Sequence, residues 1–129
     1  MSIRNLDSLF DPASVAVFGA SDRPGSVGAT VWRNLRGGGF AGPLWPVNPK
    51  RRELDGVPVH ADVAALPEAP ELAVICTPAP TVPGLIRELG ERGTRAAVVL
   101  SAGFDAASRQ TLREAARPHL LRLLGPNCL

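Results

Sequence analysis

Short apolar runs alternate with longer amphipathic stretches along the chain. Ser14–Phe18, Leu44–Val47, Leu72–Ile75, Ala96–Leu100 and Leu120–Leu124 have strand length and are apolar almost throughout, with no period-two alternation. Unbroken apolar runs suit strands of a parallel sheet covered on both faces. Between them the period becomes helical. Val31 and Leu35 predict a helix over about Gly28–Arg36, closed by Gly37-Gly38-Gly39. Val82, Leu85, Ile86 and Leu89 fall at i, i+3, i+4 and i+7, with Thr81 as the expected N-cap and Gly93 as the stop. Asp105 is expected to cap a helix to about Arg117, with Leu112, Ala115 and Ala116 inward and Pro118 at its end. Residues 51–61 are less regular, with a short strand expected at Pro58–His60 and then a helical turn from Asp62 to Leu66. Leu6–Pro12 reads as a lead-in, with Leu9 and Phe10 under the sheet edge. Strands alternating with helices, without repeat or linker, predict one doubly wound, Rossmann-like α/β domain over residues 1–129, its sheet mostly parallel and helices on both faces.

Composition narrows the function classes. The chain has 129 residues, 45% apolar and 20% charged, enough for one globular core and too apolar for disorder. The net charge of +2 is too small to argue for nucleic acid or an anionic membrane as a partner. Aromatic residues at 5% offer no stacking platform for single strands. No apolar run approaches the ~18 residues of a membrane span, and Met1–Leu6 lacks a signal-peptide core, so the expectation is a cytoplasmic protein. Cys76 and Cys128 have no metal-type spacing, and Cys76 reads as a small buried hydrophobe. His60 and His119 read as structural.

In a parallel sheet the C-terminal strand ends share one edge, where ligands bind. The loops expected there are Gly19–Gly28, Asn48-Pro49-Lys50, Cys76–Pro80, Ser101–Phe104 and Gly125–Cys128, each rich in Gly, Pro, Ser, Thr or Asn. The connections at the opposite edge are plainer. Strand, glycine loop and helix over Ser14–Gly28 is the arrangement that cradles a phosphate, although any tight turn after a first strand uses similar residues. A dinucleotide fingerprint is incomplete here. Ser21 stands at its second glycine, Asp22-Arg23-Pro24 lengthens the loop, and strand two ends in Asn48 and Lys50 rather than a carboxylate. A lysine there suits a phosphorylated ribose, favouring NADP or coenzyme A over NAD; a solvated turn is the other reading of Lys50, Arg51 and Arg52.

The segments Gly-Ala-Ser-Asp-Arg-Pro-Gly-Ser-Val-Gly (19–28), Pro-Val-Asn-Pro-Lys (46–50), Thr-Pro-Ala-Pro (77–80), Ser-Ala-Gly-Phe (101–104) and Gly-Pro-Asn-Cys (125–128) resemble the N-terminal CoA-binding domain of the NDP-forming acyl-CoA synthetases. That family includes ADP-forming acetate–CoA ligases and the α subunit of succinyl-CoA synthetase. The resemblance implies that Gly19, Ser21, Gly25, Ser26, Val27 and Gly28 cradle CoA phosphates, with Asn48 and Lys50 beside them and Lys50 neutralising one phosphate. It implies a wall for the adenine or the pantetheine arm from Thr77, Pro78, Ala79 and Pro80, stiffened by prolines that lack N–H donors. Ser101 belongs to the same edge, and Asn127 and Cys128 fall near the thiol end. No metal site and no catalytic residue is implied within these residues. The family's phosphohistidine and its ATP-binding part, with Mg, lie in other domains. The expectation is therefore one domain of a longer synthetase, with CoA or acyl-CoA and the sister domains as partners. A CoA- or nucleotide-sensing module and an NADP-dependent oxidoreductase fragment stay open as alternatives.

Overall fold

The computed structural model describes residues 11–126. The expectations for Leu9, Phe10, Asn127 and Cys128 lie outside the described residues. The elements are β1 (Val15–Phe18), α1 (Val27–Gly37), β2 (Leu44–Val47), β3 (Glu53–Leu54), β4 (Val57–Pro58), β5 (Leu72–Ile75), α2 (Val82–Arg92), β6 (Ala96–Val99), α3 (Ala106–Ala116) and β7 (Arg122–Leu124). Short 3-10 turns at Ala79–Thr81 and Arg117–His119 precede α2 and follow α3.

Five strands form one sheet in the order β2-β1-β5-β6-β7, every neighbouring pair parallel. The expected Rossmann-like α/β architecture is present. β1 is an interior strand next to the edge strand β2, with Val15 opposite both Leu44 and Leu72. Successive residues of a strand point to opposite faces, so β1 feeds two cores. Ala16 and Phe18 join Ile75, Ile86, Leu89, Val99 and Leu112 beneath α2 and α3. Val15 and Val17 join Trp32, Leu54 and Val74 on the other face, against α1 and the β3–β4 hairpin. β1 and β5 are buried at every position, which is why neither shows an alternating pattern.

Some local readings hold and others need correction. Val31 and Leu35 do pack against the core, each half-buried, but the large side chain of α1 sealed in it is Trp32, whose indole N–H donates to the Asp55 carboxylate at 3.1 Å. Thr81 stands at the N-cap position of α2 as expected, but its side chain makes no capping bond. It already has helical backbone angles at the end of the 3-10 turn, and its hydroxyl donates back to the Pro78 carbonyl at 2.6 Å. The irregular stretch contains a hairpin, β3 with β4, and His60 makes only an isolated parallel bridge to Val47. The expected turn over Asp62–Leu66 is present, with Asp62 accepting the Ala65 N–H at 2.9 Å. That turn buries Val63 and Leu66, whose carbonyls the Arg92 guanidinium holds at 2.6 and 3.2 Å. The last strand begins at Arg122, because Leu120 sits at φ 54° in the turn before it.

Candidate functional site at the C-terminal sheet edge

From β1 the chain passes to β2 on one side and, through the next crossover, to β5 on the other. The C-terminal ends of β1 and β5 therefore flank the point where the strand order reverses, the place where open α/β sheets leave a crevice for ligands. The loops leaving these two strands touch. Gly19 turns at φ 86°, and a Cβ built there would stand 3.2 Å from the Cys76 carbonyl carbon. Backbone bonds fix the junction on both sides: Gly19 N–H donates to the Val47 carbonyl and Cys76 N–H to the Phe18 carbonyl, each at 2.9 Å.

The glycine loop then rises into α1. Gly28 has no room for a Cβ, which would overlap the Gly19 carbonyl oxygen, so the first turn of α1 presses directly on the end of β1. Ser26 is the N-cap. Its Oγ accepts the Ala29 N–H at 3.2 Å and donates to the Arg23 carbonyl at 2.8 Å. Val27 and Gly28 are the first two helical positions, whose N–H groups have no acceptor within a helix and lie at the positive end of its dipole. Gly25 faces open space, and Val27 is an apolar side chain left 52% exposed on the same turn. Ser21 accepts the Arg23 N–H at 2.9 Å, which uses an Oγ lone pair and leaves the hydroxyl hydrogen.

The loop after β2 is tied to this one. Asn48 donates from Nδ2 to the Ala20 carbonyl at 3.0 Å and accepts the Lys50 N–H on Oδ1 at 2.9 Å. Asn48 thus orients both the glycine loop and the lysine rather than offering a free amide. Lys50 is exposed, and among the described residues its ammonium has no ion-pair partner. Arg51 reaches across to the Asp22 carboxylate. After β5, Thr77 and Thr81 pair through their hydroxyls at 2.9 Å, and Pro78 and Pro80 lie exposed on the same lip. Buried Ser101, from the loop after β6, donates to the Thr77 carbonyl at 2.5 Å, so it props that lip from behind. Cys76 is half-buried, and burial raises its thiol pKa to about 11, which suits packing and not nucleophilic chemistry.

The structure therefore brings together Gly19, Ser21, Gly25, Ser26, Val27, Gly28, Asn48, Lys50, Thr77, Pro78, Ala79, Pro80 and Ser101 along one sheet edge. Sequence reasoning missed the Asp22–Arg51 pair, whose signal was an acid and a base in two loops already assigned to this edge. Among the described residues no cluster of His, Cys, Asp or Glu has metal-binding geometry, and no helix is long and apolar enough to cross a membrane.

Comparison with known proteins adds three findings. A family model described as a CoA binding domain matches residues 13–129. Among curated proteins, a trans-feruloyl-CoA synthase from an unknown prokaryotic organism is 43% identical over 99% of this chain, and an ADP-forming acetate–CoA ligase of Archaeoglobus fulgidus is 42% identical over 96%. The chain spans 19% of the length of each. Among solved structures, the dinucleotide-forming acetyl-coenzyme A synthetase 1 of Ca. Korarchaeum cryptofilum, in complex with phosphate and ADP, superposes with a TM-score of 0.89 at 36% identity, covering 95% of this chain and 27% of that one.

Proposed function

The chain belongs to the CoA-binding domain family, and from that premise we infer that its C-terminal sheet edge holds coenzyme A, with the CoA phosphates on the 19–28 loop. The observation that carries the reading is the junction of β1, α1 and β2. The Val27 and Gly28 N–H groups emerge there beside Gly25 and face the same edge as the exposed Lys50. A helix N-terminus and a lysine together supply directed donors and positive charge for phosphate. The Thr77–Pro80 lip offers an apolar wall for the adenine or the pantetheine arm. Asn127 and Cys128 follow β7 in the sequence and are assigned to the thiol end.

In the longer relatives this domain is joined to others, and the activity in their names is that of ligases and synthases acting on CoA. We assign this chain the same part: it binds CoA or acyl-CoA for an ADP-forming acyl–CoA ligase whose ATP- and Mg-dependent steps lie in other domains. Titration calorimetry tests the site. Lys50→Ala weakens CoA by about 1.5–3 kcal/mol if its ammonium makes a charge-assisted bond. Dephospho-CoA, which lacks the 3′-phosphate, binds more weakly than CoA to the unaltered chain. Equal affinity for the two would remove Lys50 from the proposed contact.

A further inference from the structure

Two contacts cross from the β2–β3 loop to the glycine loop: Asn48 Nδ2 on the Ala20 carbonyl, and Arg51 on the Asp22 carboxylate. Asp22 follows Ser21, and Arg51 follows Lys50, so the ion pair stands directly beside the groups assigned to phosphate. A carboxylate at the mouth of such a loop repels a polyanion. Arg51 cancels that charge, but the Asp22 side chain is 62% exposed and the Arg51 side chain 32%, and ion pairs of such exposure are weak. The diphosphate and 3′-phosphate of CoA together carry more charge than one carboxylate, and a phosphate accepts a guanidinium through two parallel hydrogen bonds, so the ligand competes well for the same arginine.

We propose that Asp22 and Arg51 form an exchangeable charge pair, in which Arg51 passes from the Asp22 carboxylate to a phosphate of the ligand and Asp22 thereby sets the affinity of the site. This rests on the reading that the glycine loop receives CoA phosphates. Asp22 is a positioning residue that acts through Arg51. It lowers affinity and makes release easier, and Arg51 raises affinity.

The test is calorimetry of CoA on the full chain at two salt concentrations, for the unaltered protein, Asp22→Asn, Arg51→Gln, the double variant and Arg51→Lys, with thermal melts of each. Asp22→Asn frees Arg51 and is expected to bind CoA about three- to ten-fold tighter, with a steeper salt dependence. Arg51→Gln leaves the carboxylate uncompensated and binds about ten-fold more weakly. The double variant lies between the two single variants, and Arg51→Lys keeps most of the affinity. A purely structural clamp gives the opposite sign at Asp22. If Asp22→Asn binds CoA more weakly than, or as well as, the unaltered chain, the exchange is wrong while the CoA site stands. If the unaltered chain does not bind CoA, the CoA reading and the exchange fall together.

Discussion

Gly28 is the residue on which the edge depends most directly. The first turn of α1 lies so close to the end of β1 that an added methyl would overlap the Gly19 carbonyl oxygen. That contact cannot be relieved by a rotamer change, because its partner is backbone. Gly28→Ala is therefore expected to cost about 3 kcal/mol in urea unfolding, at the upper end of overpacked sites. It should also weaken CoA, since the helix must back away and take its free N–H groups with it. Gly37→Ala, in the same helix, is the control for crowding, because a Cβ there meets nothing within 4 Å and its φ is not positive. At this scale the loop residues were legible as a set, from their types and their place after a strand. What each one does was not. Asn48 is a good example: its amide could have faced a ligand, but the fold directs it to the Ala20 carbonyl and to the Lys50 N–H. A partner 28 positions away leaves no trace in the local pattern.

Among the elements, α3 was the most predictable because its start signal is local. Asp105 accepts the Ser108 N–H at 2.8 Å, and the Asp105 N–H donates to Ser108 Oγ at the same distance, a reciprocal cap. These bonds from Ser108, its N–H above all, hold the Asp105 carboxyl below its ordinary pKa. A carboxyl whose folded pKa lies below its unfolded value adds stability above the unfolded pKa, and that contribution is lost as pH falls through the folded one. Asp105→Ala should therefore lower the thermal midpoint at neutral pH, and the gap to the unaltered chain should narrow below about pH 4. A gap that persists unchanged into acid would mean that the charge contributes nothing. At the start of α2 the position is legible but the bond is not. Thr81 is the N-cap residue, but Pro78 and Pro80 lead the chain into a 3-10 turn that is already helical at Thr81, so its hydroxyl points back to Pro78 instead of forward to a free N–H. Trp32 was passed over because Val31 and Leu35 alone define a plausible inner face. Only the β3–β4 hairpin, with Asp55 at its turn, gives the indole N–H a buried-side partner and allows the ring to be sealed in.

At the scale of the whole molecule, parallel strands were legible as unbroken apolar runs, and parallelism alone puts every strand-end loop on one edge. The strand order was not legible. Only the order β2-β1-β5-β6-β7 shows that the loops after β1 and β5 meet at the reversal, with Gly19 against Cys76, while those after β6 and β7 stand outward from it. In the proposed site that order matters, because the free N–H groups that start α1, the exposed Lys50 of the β2 loop and the Thr77–Pro80 lip come from three different elements. A site assembled this way stabilises the whole domain when occupied, since ligand bound only by the folded state raises stability by mass action. CoA at about 100 times its dissociation constant should add about 2.7 kcal/mol and raise the melting midpoint by on the order of 10 °C. NAD should do far less, because no carboxylate ends β2 to hold a free ribose diol; Asn48 and Lys50 stand there instead. NADP is the discriminating ligand, because its ribose phosphate suits Lys50 but its dinucleotide pyrophosphate needs the close backbone approach that a second glycine allows and that Ser21 replaces. A melting panel with all three separates the cases: a shift with CoA that exceeds the shift with NADP supports the CoA site, and stabilisation by NADP alone would sink it.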